Sequence, residues 1–262
     1  MIRVGVIGAC GRMGRTVCAA VATDPDLALV AAVDVVGIGE PIGPACGHPE
    51  LELVVSKDLD ALCEAGAEVA VDFTAPGVAA GNIRWAIGNG VHIVVGTSGI
   101  SQEDLVDIRA RLEKGGGSNV FVAPNFAIGA VLAERFAAQA SKWFPAAEII
   151  ELHHDAKADA PSATALHAAR LIASERAESY RGPEAESLQG VRGGDVEGLR
   201  IHSVRLPGLV AHQEIIFGGP GQILSIRHDS MDRVSFMPGV LMAIRAVASR
   251  PGLSVGLDAL LG

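Results

Sequence analysis

No apolar run in this sequence reaches the length of a bilayer span before a charge, Gly or Pro interrupts it. The first residues, MIRVGVIG, lack the charged region, apolar stretch and cleavage site of a secretory leader. Together these absences predict a cytoplasmic protein with no membrane partner. Positive charge is scarce: 21 Lys and Arg stand against 30 Asp and Glu, for a net charge of −9. That balance argues against a general nucleic-acid-binding surface, but leaves room for a local basic pocket that takes a small anion. Cysteine is limited to Cys10, Cys18, Cys46 and Cys63, with no C-x-x-C pair, so neither a zinc ribbon nor a dithiol redox site is expected. The lack of cysteine after Cys63 also excludes an aldehyde dehydrogenase with a thiol in its second half. H-E-x-x-H and G-x-S-x-G are both missing, which removes a zincin helix and a nucleophile elbow. No metal is expected.

What the chain does have is apolar content, 49% of 262 residues, enough to fill the cores of two modest domains. In the first half, apolar runs alternate with helical patterns. Residues 2–8, 27–34, 69–73, 92–97 and 119–124 read as strands; residues 12–23, 77–88 and 101–114 read as helices, and 35–50 as a Gly- and Pro-rich loop. Such alternation implies βαβ crossovers and a parallel sheet covered on both faces. After Pro124 the rhythm changes. A helix is expected over 127–143, a strand over 147–154 and a helix over 162–178. A loop or arm then fills 179–198. Three strands over 199–206, 212–218 and 222–228 alternate apolar with polar residues, as in an antiparallel sheet. A last helix over 239–252 is ended by Pro251-Gly252. The predicted fold class is therefore α/β: a Rossmann-like domain with a parallel sheet over 1–126, then an α+β domain with a mixed or antiparallel sheet over 127–237.

The stretch VGVIGACGRMGR places Gly8, Gly11 and Gly14 between a strand and a helix. This G-x-x-G-x-x-G spacing is looser than the usual dinucleotide fingerprint, but the physics carries over. Glycines let the backbone turn tightly and approach a pyrophosphate, which sits at the positive end of the following helix. Asp34, at the end of the second strand, is placed to accept hydrogen bonds from an adenosine ribose. A Gly-rich turn with a chance acid is the plainer reading, yet strand, glycines, helix, second strand and acid occur in the required order. Asp34 favours NADH. Arg12 is either a partner for the 2′-phosphate of NADPH or a solvated arginine. GTSG (96–99) and APNF (123–126) follow strand ends, where open α/β folds bind ligands; equally, GTSG could be an N-cap turn and APNF a joint between domains.

Residues 151–165, ELHHDAKADAPSATA, gather chemistry that is costly to bury. His153 and His154 end a strand whose neighbours point to opposite faces, so the strand has to stop there. A histidine titrates near neutral pH and suits proton donation. Lys157 and Asp159 follow in a loop. Pro161, Ser162 and Thr164 look like a helix start, and backbone N–H groups there bind anions. Protonation of an anionic substrate beside a hydride donor is the chemistry suggested. Lys157 as a Schiff-base lysine stays open in principle; His154 and His167 could equally be ordinary partly exposed histidines, while His202, His212 and His228, in the antiparallel region, read as structural.

These motifs, with VDFTAPGV and the late RLPGLVAHQEIIFG and ILSIRHDSMDR, resemble the 4-hydroxy-tetrahydrodipicolinate (dihydrodipicolinate) reductase family over essentially the full chain. The resemblance implies NAD(P)H-dependent reduction of a cyclic, conjugated imine dicarboxylate, without metal, in diaminopimelate and lysine biosynthesis. It implies His153 as proton donor and Lys157 as its helper, with His154, Ser162 and the amides of Ala163 and Thr164 on the substrate carboxylates. It implies a cofactor site formed by Gly8, Ala9, Cys10, Gly11, Arg12, Met13, Asp34, Phe73, Gly96, Thr97, Ser98, Ala123, Pro124, Asn125 and Phe126. It further implies a homotetramer joined through the second sheet, with residues 238–262 returning to the first domain. One position departs: Ala163 stands where the family pattern has Gly. Its φ is expected to be helical, at little cost; a positive φ would strain it by about 1–2 kcal/mol and would leave a silent or re-specialised dinucleotide-binding homologue as the alternative.

Overall fold

The computed structural model describes residues 1–115, 117–176 and 185–262. Two compact units are present, Met1–Phe126 with Phe236–Gly262, and Ala127–Ser235.

In the first unit the elements run β1 (Ile2–Ile7), α1 (Arg12–Thr23), β2 (Leu27–Val33), α2 (Ile42–Cys46), β3 (Val55–Ser56), α3 (Asp60–Glu64), β4 (Val69–Asp72), α4 (Ala79–Gly88), β5 (His92–Val95), α5 (Gln102–Glu113) and β6 (Val120–Val122). The seven-stranded sheet has the order β12-β6-β5-β4-β1-β2-β3, where β12 is Leu253–Val255. All its pairings are parallel. Helices α3, α4 and α5 contribute Leu62, Ile83, Ile87 and Ile108 to a core with Ile7, Val33, Ile93 and Val95. Helix α1 packs on the late helix α8 (Met237–Val247), and α8 in turn on β5. Every residue of β4 is buried as a result, which is why it reads as an unbroken VAVD run rather than an alternation.

The second unit runs α6 (Ile128–Ala140), β7 (Ala146–His153), α7 (Ala163–Glu175), β8 (Gly194–Val196), β9 (Leu199–Arg205), β10 (Ala211–Gly219) and β11 (Gln222–Ser230). Its sheet has the order β11-β10-β7-β9-β8. The sheet is mixed: β7 and β9 pair in parallel, joined across α7, and the remaining pairs are antiparallel. Helices α6 and α7 cover the face that carries Ile149, Leu199, Ile201, Ile215 and Phe217.

Three sequence expectations change. The 35–50 stretch holds the short helix α2, and α3, β3 and β8 were not anticipated, because elements of two to five residues are too short to show a period. The tail helix stops at Val247 instead of running to Pro251-Gly252. Gly252, at φ 84°, turns the chain, its carbonyl accepts a 2.9 Å bond from Val120 N–H, and β12 then joins the parallel sheet. The loop expected over 179–198 lies partly outside the described residues, as do positions 177 and 178 of the expected second-domain helix. Among the described residues no helix is long and apolar enough to cross a membrane.

Candidate active site

The glycine turn after β1 leaves no space for side chains. Gly8 has φ 80°, and a Cβ on it would lie 2.6 Å from the Phe73 carbonyl oxygen. A Cβ on Gly14 would fall 1.9 Å from the Gly8 carbonyl oxygen, so the first turn of α1 rests directly on the loop. Gly11 is the N-cap of α1; it offers no side-chain cap, and the first turn carries no acid. The N–H groups of that turn therefore remain available to an anion. Asp34 follows β2. Its Oδ2 accepts from Cys10 N–H at 2.8 Å and its Oδ1 from Val35 and Val36 N–H at 2.6 and 3.1 Å.

A cavity of about 400 Å³ opens here, with Gly8, Cys10, Gly11, Asp34 and Phe73 on its wall. Val35, Val36 and Leu59 give it an apolar side, and Lys57 supplies a cation. Glycine turn, capless helix start, tethered acid and apolar wall fit a dinucleotide. Ala9 is fully buried beneath the turn. Arg12 and Met13 lie on the first turn of α1, outside the cavity wall, and Arg12 is exposed. Lys57 was missed because it lies in a short connection with no motif around it.

The loops after β4, β5 and β6 are tied together at the carboxyl edge of the sheet. Asp72 is fully buried and has no cationic partner among the described residues; its Oδ1 accepts from Thr74 N–H and Oγ1 (3.0 and 2.8 Å) and from Thr97 Oγ1 (2.7 Å), and its Oδ2 from Asn82 Nδ2 (2.6 Å). Thr97 is thus a strut between loops. The N-cap of α5 is Ser101, which forms a capping box with Asp104, so GTSG does not cap that helix. A Cβ on Gly96 would meet the Phe73 ring at 2.1 Å, and that ring packs on Phe126 with centroids 6.0 Å apart. Ala123 and Phe126 are buried; Ser98 and Pro124 are exposed, and Asn125 is half-buried.

In the second unit, β7 carries Ile149, Glu151 and His153 on its core face. Glu151 is 0% exposed, where the alternation calls for a hydrophobe. Arg205, beside His153 in the parallel β7–β9 register, grips both Glu151 oxygens, Nη1 to Oε2 at 2.9 Å and Nη2 to Oε1 at 2.8 Å. His153 Nδ1 lies 2.5 Å from Glu151 Oε2. Burial opposes the charge on Glu151, but hydrogen bonds from Arg205, Ser203 and His153 hold its pKa below the usual carboxylate value. His153 is pushed below the usual imidazole value by burial, which the hydrogen bond and charge of Glu151 only partly offset; Lys157 and Arg205 add smaller repulsions in the same direction as burial.

His154 lies beyond the end of β7 and is exposed. Lys157 Nζ donates to both oxygens of Asp159 at 2.7 Å, which lowers the Asp159 pKa. Ser162 is the N-cap of α7: its Oγ accepts from Ala165 N–H at 3.1 Å, while its own N–H donates to Glu151 Oε1 at 3.3 Å. Ala163 is the first residue of α7. Glu197 is the non-glycine residue with positive φ among the described residues, so Ala163 carries no left-handed strain, as expected. His153, His154, Lys157, Ser162, Ala163 and Thr164 thus share one strand-loop-helix segment. Glu151 and Arg205 were not singled out from the sequence, although a charged residue at the core-facing step of an alternating strand was a legible signal. Four of the remaining histidines have carboxylate partners: His48 with Glu50 at 3.1 Å, His167 with Glu134 at 3.0 Å, His202 with Glu148 at 2.8 Å and His212 with Asp229 at 2.7 Å. Among the described residues, no group of three or more His, Cys, Asp or Glu could hold a metal ion.

Family models match the chain in two parts, dihydrodipicolinate reductase N-terminus over residues 2–126 and dihydrodipicolinate reductase C-terminus over residues 129–261. A 4-hydroxy-tetrahydrodipicolinate reductase from Nocardia farcinica is 50% identical over 261 residues, 98% of this chain and 97% of that one. One from Mycolicibacterium vanbaalenii is 48% identical over 262 residues, 99% of each chain. A solved dipicolinate-bound dihydrodipicolinate reductase from Paenisporosarcina sp. TG-14 superposes with a TM-score of 0.87 at 41% identity, over 99% of both chains. This chain belongs to the dihydrodipicolinate reductase family of NAD(P)H-dependent oxidoreductases.

Proposed function

We propose that this protein reduces 4-hydroxy-tetrahydrodipicolinate to tetrahydrodipicolinate, in diaminopimelate and lysine biosynthesis, with NADH or NADPH as donor. The observation that supports it most is the His153 segment: a half-buried, carboxylate-oriented imidazole, an adjacent lysine and a capped but anion-ready helix start within a dozen residues. Loss of the 4-hydroxyl as water leaves a conjugated cyclic imine that carries two carboxylates, and a hydride and a proton are added to it, so substrate, NAD(P)H and a proton give product, NAD(P)⁺ and water. Bound at the glycine turn, the reduced nicotinamide supplies the hydride. Gly8, Ala9, Cys10, Gly11, Arg12 and Met13 hold the pyrophosphate, Asp34 the ribose, and Phe73, Gly96–Ser98 and Ala123–Phe126 the nicotinamide end. The N–H groups of Ala163 and Thr164 take one carboxylate at the start of α7, Ser162 fixes that start, and His154 and Lys157 take negative charge. His153 donates the proton from Nε2, since Nδ1 faces Glu151. The unstrained Ala163 supports an active enzyme over a silent homologue. A cytoplasmic homotetramer, with the second unit serving substrate binding and assembly, completes the reading.

The depressed His153 pKa has a consequence for binding. Ordinary imidazoles titrate near 6.5, so His153 is mainly neutral at pH 7 in the free protein. A bound dianion offsets the repulsion from Lys157 and Arg205 and raises the His153 pKa, so the complex takes up a proton. The affinity for dipicolinate is therefore expected to weaken as pH rises above neutrality. Calorimetry in two buffers of different ionisation enthalpy should read net uptake of about one proton or less at pH 7; net release would contradict the assignment.

Cofactor choice is expected to rest on Lys57 rather than Arg12, since Lys57 is on the cavity wall. Lys57→Ala should weaken NADPH by roughly three- to tenfold and NADH little, a modest effect because Lys57 is exposed. Equal losses for both cofactors, read by fluorescence titration, would remove Lys57 from phosphate recognition.

A further inference from the structure

We propose that Arg205 is a positioning residue for proton transfer: through Glu151 it fixes the ring and tautomer of His153, and through the Asp159 carbonyl it fixes the Lys157 loop to the same clamp. The proposal rests on His153 being the proton donor. Arg205 lies outside the strand-loop-helix segment that carries the rest of the substrate chemistry; it reaches that segment from the end of β9.

Six contacts converge on one guanidinium and one carboxylate. Arg205 donates to both Glu151 oxygens, and its Nη2 also donates to Asp159 O at 2.6 Å. Its Nη1 further donates to its own strand at Val204 O, 2.8 Å. Glu151 in turn accepts from the start of α7 through Ser162 N–H and faces His153 Nδ1. Asp159, whose carbonyl is held by Arg205, holds Lys157 with its side chain. Donor, lysine and helix start are therefore referred to a single planar fork. A lysine could not do this, because an ammonium cannot span two carboxylate oxygens and a carbonyl in fixed geometry.

The pair also settles which nitrogen carries a proton. Glu151 is fully buried and is held ionised by Arg205, so it acts as an acceptor. Nδ1–H of His153 points at it, and Nε2 has no partner among the described residues. The neutral ring is thus locked as the Nδ1–H tautomer, leaving Nε2 as the position that gains and delivers the proton. The charged groups facing His153 are Glu151 on its own strand, Arg205 on β9, and Lys157 from the following loop, itself paired with Asp159. On β10 the register partners of His153 and Glu151 are the uncharged Ala211 and Gln213. Arg205 therefore has two opposed effects, orienting the acid through Glu151 while tempering the pull of Glu151 on the proton.

Removing Arg205 alone would leave a buried carboxylate uncompensated, so the test uses Arg205→Lys and the charge-free double variant Arg205→Met/Glu151→Gln. In the double variant kcat at pH 7 is expected to fall about a hundredfold with NADH Kd unchanged. The alkaline limb of kcat against pH should move down by about one unit, because Glu151 outweighs Arg205 at His153. The ¹⁵N signature of the Nδ1–H tautomer should disappear. Arg205→Lys is expected to fold normally and to lose roughly tenfold in kcat. The same changes made in a His153→Gln background should cost little more, since they act through His153. Wild-type kcat in Arg205→Lys, or losses that simply multiply with that of His153→Gln, would overturn the proposal. If instead His153→Gln keeps full kcat, it is the proton-donor assignment that fails, and the two failures are distinguishable.

Discussion

His153→Gln is expected to lower kcat by about 10²–10⁴-fold, the range a positioned general acid supplies, while NADH and NADPH bind as tightly as before. The selectivity follows from where the residue sits. His153 belongs to the second unit, whereas the cavity that fits the dinucleotide is built wholly from the first. Glutamine keeps a hydrogen-bonding group beside Glu151, so the buried carboxylate retains its neighbour and the fold is spared an uncompensated charge. What glutamine cannot do is give up a proton near neutral pH. Stopped-flow oxidation separates the chemical step from cofactor binding. An unchanged rate constant would take His153 out of the mechanism and direct attention to Lys157.

Gly14→Ala is expected to have the largest effect on the first unit. The added Cβ would lie 1.9 Å from Gly8 O, 2.7 Å from Gly8 C and 2.8 Å from Ala9 Cα. All three are backbone atoms of the turn, so no rotamer change relieves the clash, and α1 must lift from the loop. Overpacking at rigid sites costs about 1–3 kcal/mol or more. Because the N–H groups of α1 move with the helix, NADH affinity should drop by roughly tenfold or more, equivalent to about 1.4 kcal/mol. Denaturant unfolding and a cofactor titration read the two effects on the same preparation. Wild-type values in both would mean that the loop and helix are not packed as described.

The parallel sheet was legible because both its faces are covered, so its strands appear in the sequence as short apolar blocks between helical periods: VAVD and HIVV are nearly pure core. The glycine turn was legible because its steric demands admit few other residues. The segment from His153 to Thr164 was legible as a concentration of polar groups with a helix start inside it, and Ser162 does cap that helix. What escaped falls into two kinds. Elements of two to five residues, such as β3, α3 and β12, are defined by the partners they find rather than by any period of their own. Residues that act across the chain escaped as well. Glu151 looked like one letter of a motif, and Arg205, 54 positions away, like one letter of an alternating strand. Only the parallel β7–β9 register brings Arg205 beside His153. Asp72 escaped for the same reason: its partners Thr74, Asn82 and Thr97 come from three separate segments.

The central claim is that this chain, with Ala163 at the start of α7, is a working reductase. The most direct measurement is steady-state oxidation of NADH and of NADPH, in separate runs, with 4-hydroxy-tetrahydrodipicolinate generated in place by its synthase. Rapid, substrate-dependent oxidation is the predicted result, and the ratio between the two runs gives the cofactor preference. No oxidation in either run, with both cofactors shown to bind, would contradict the claim and make Ala163→Gly the next variant to examine.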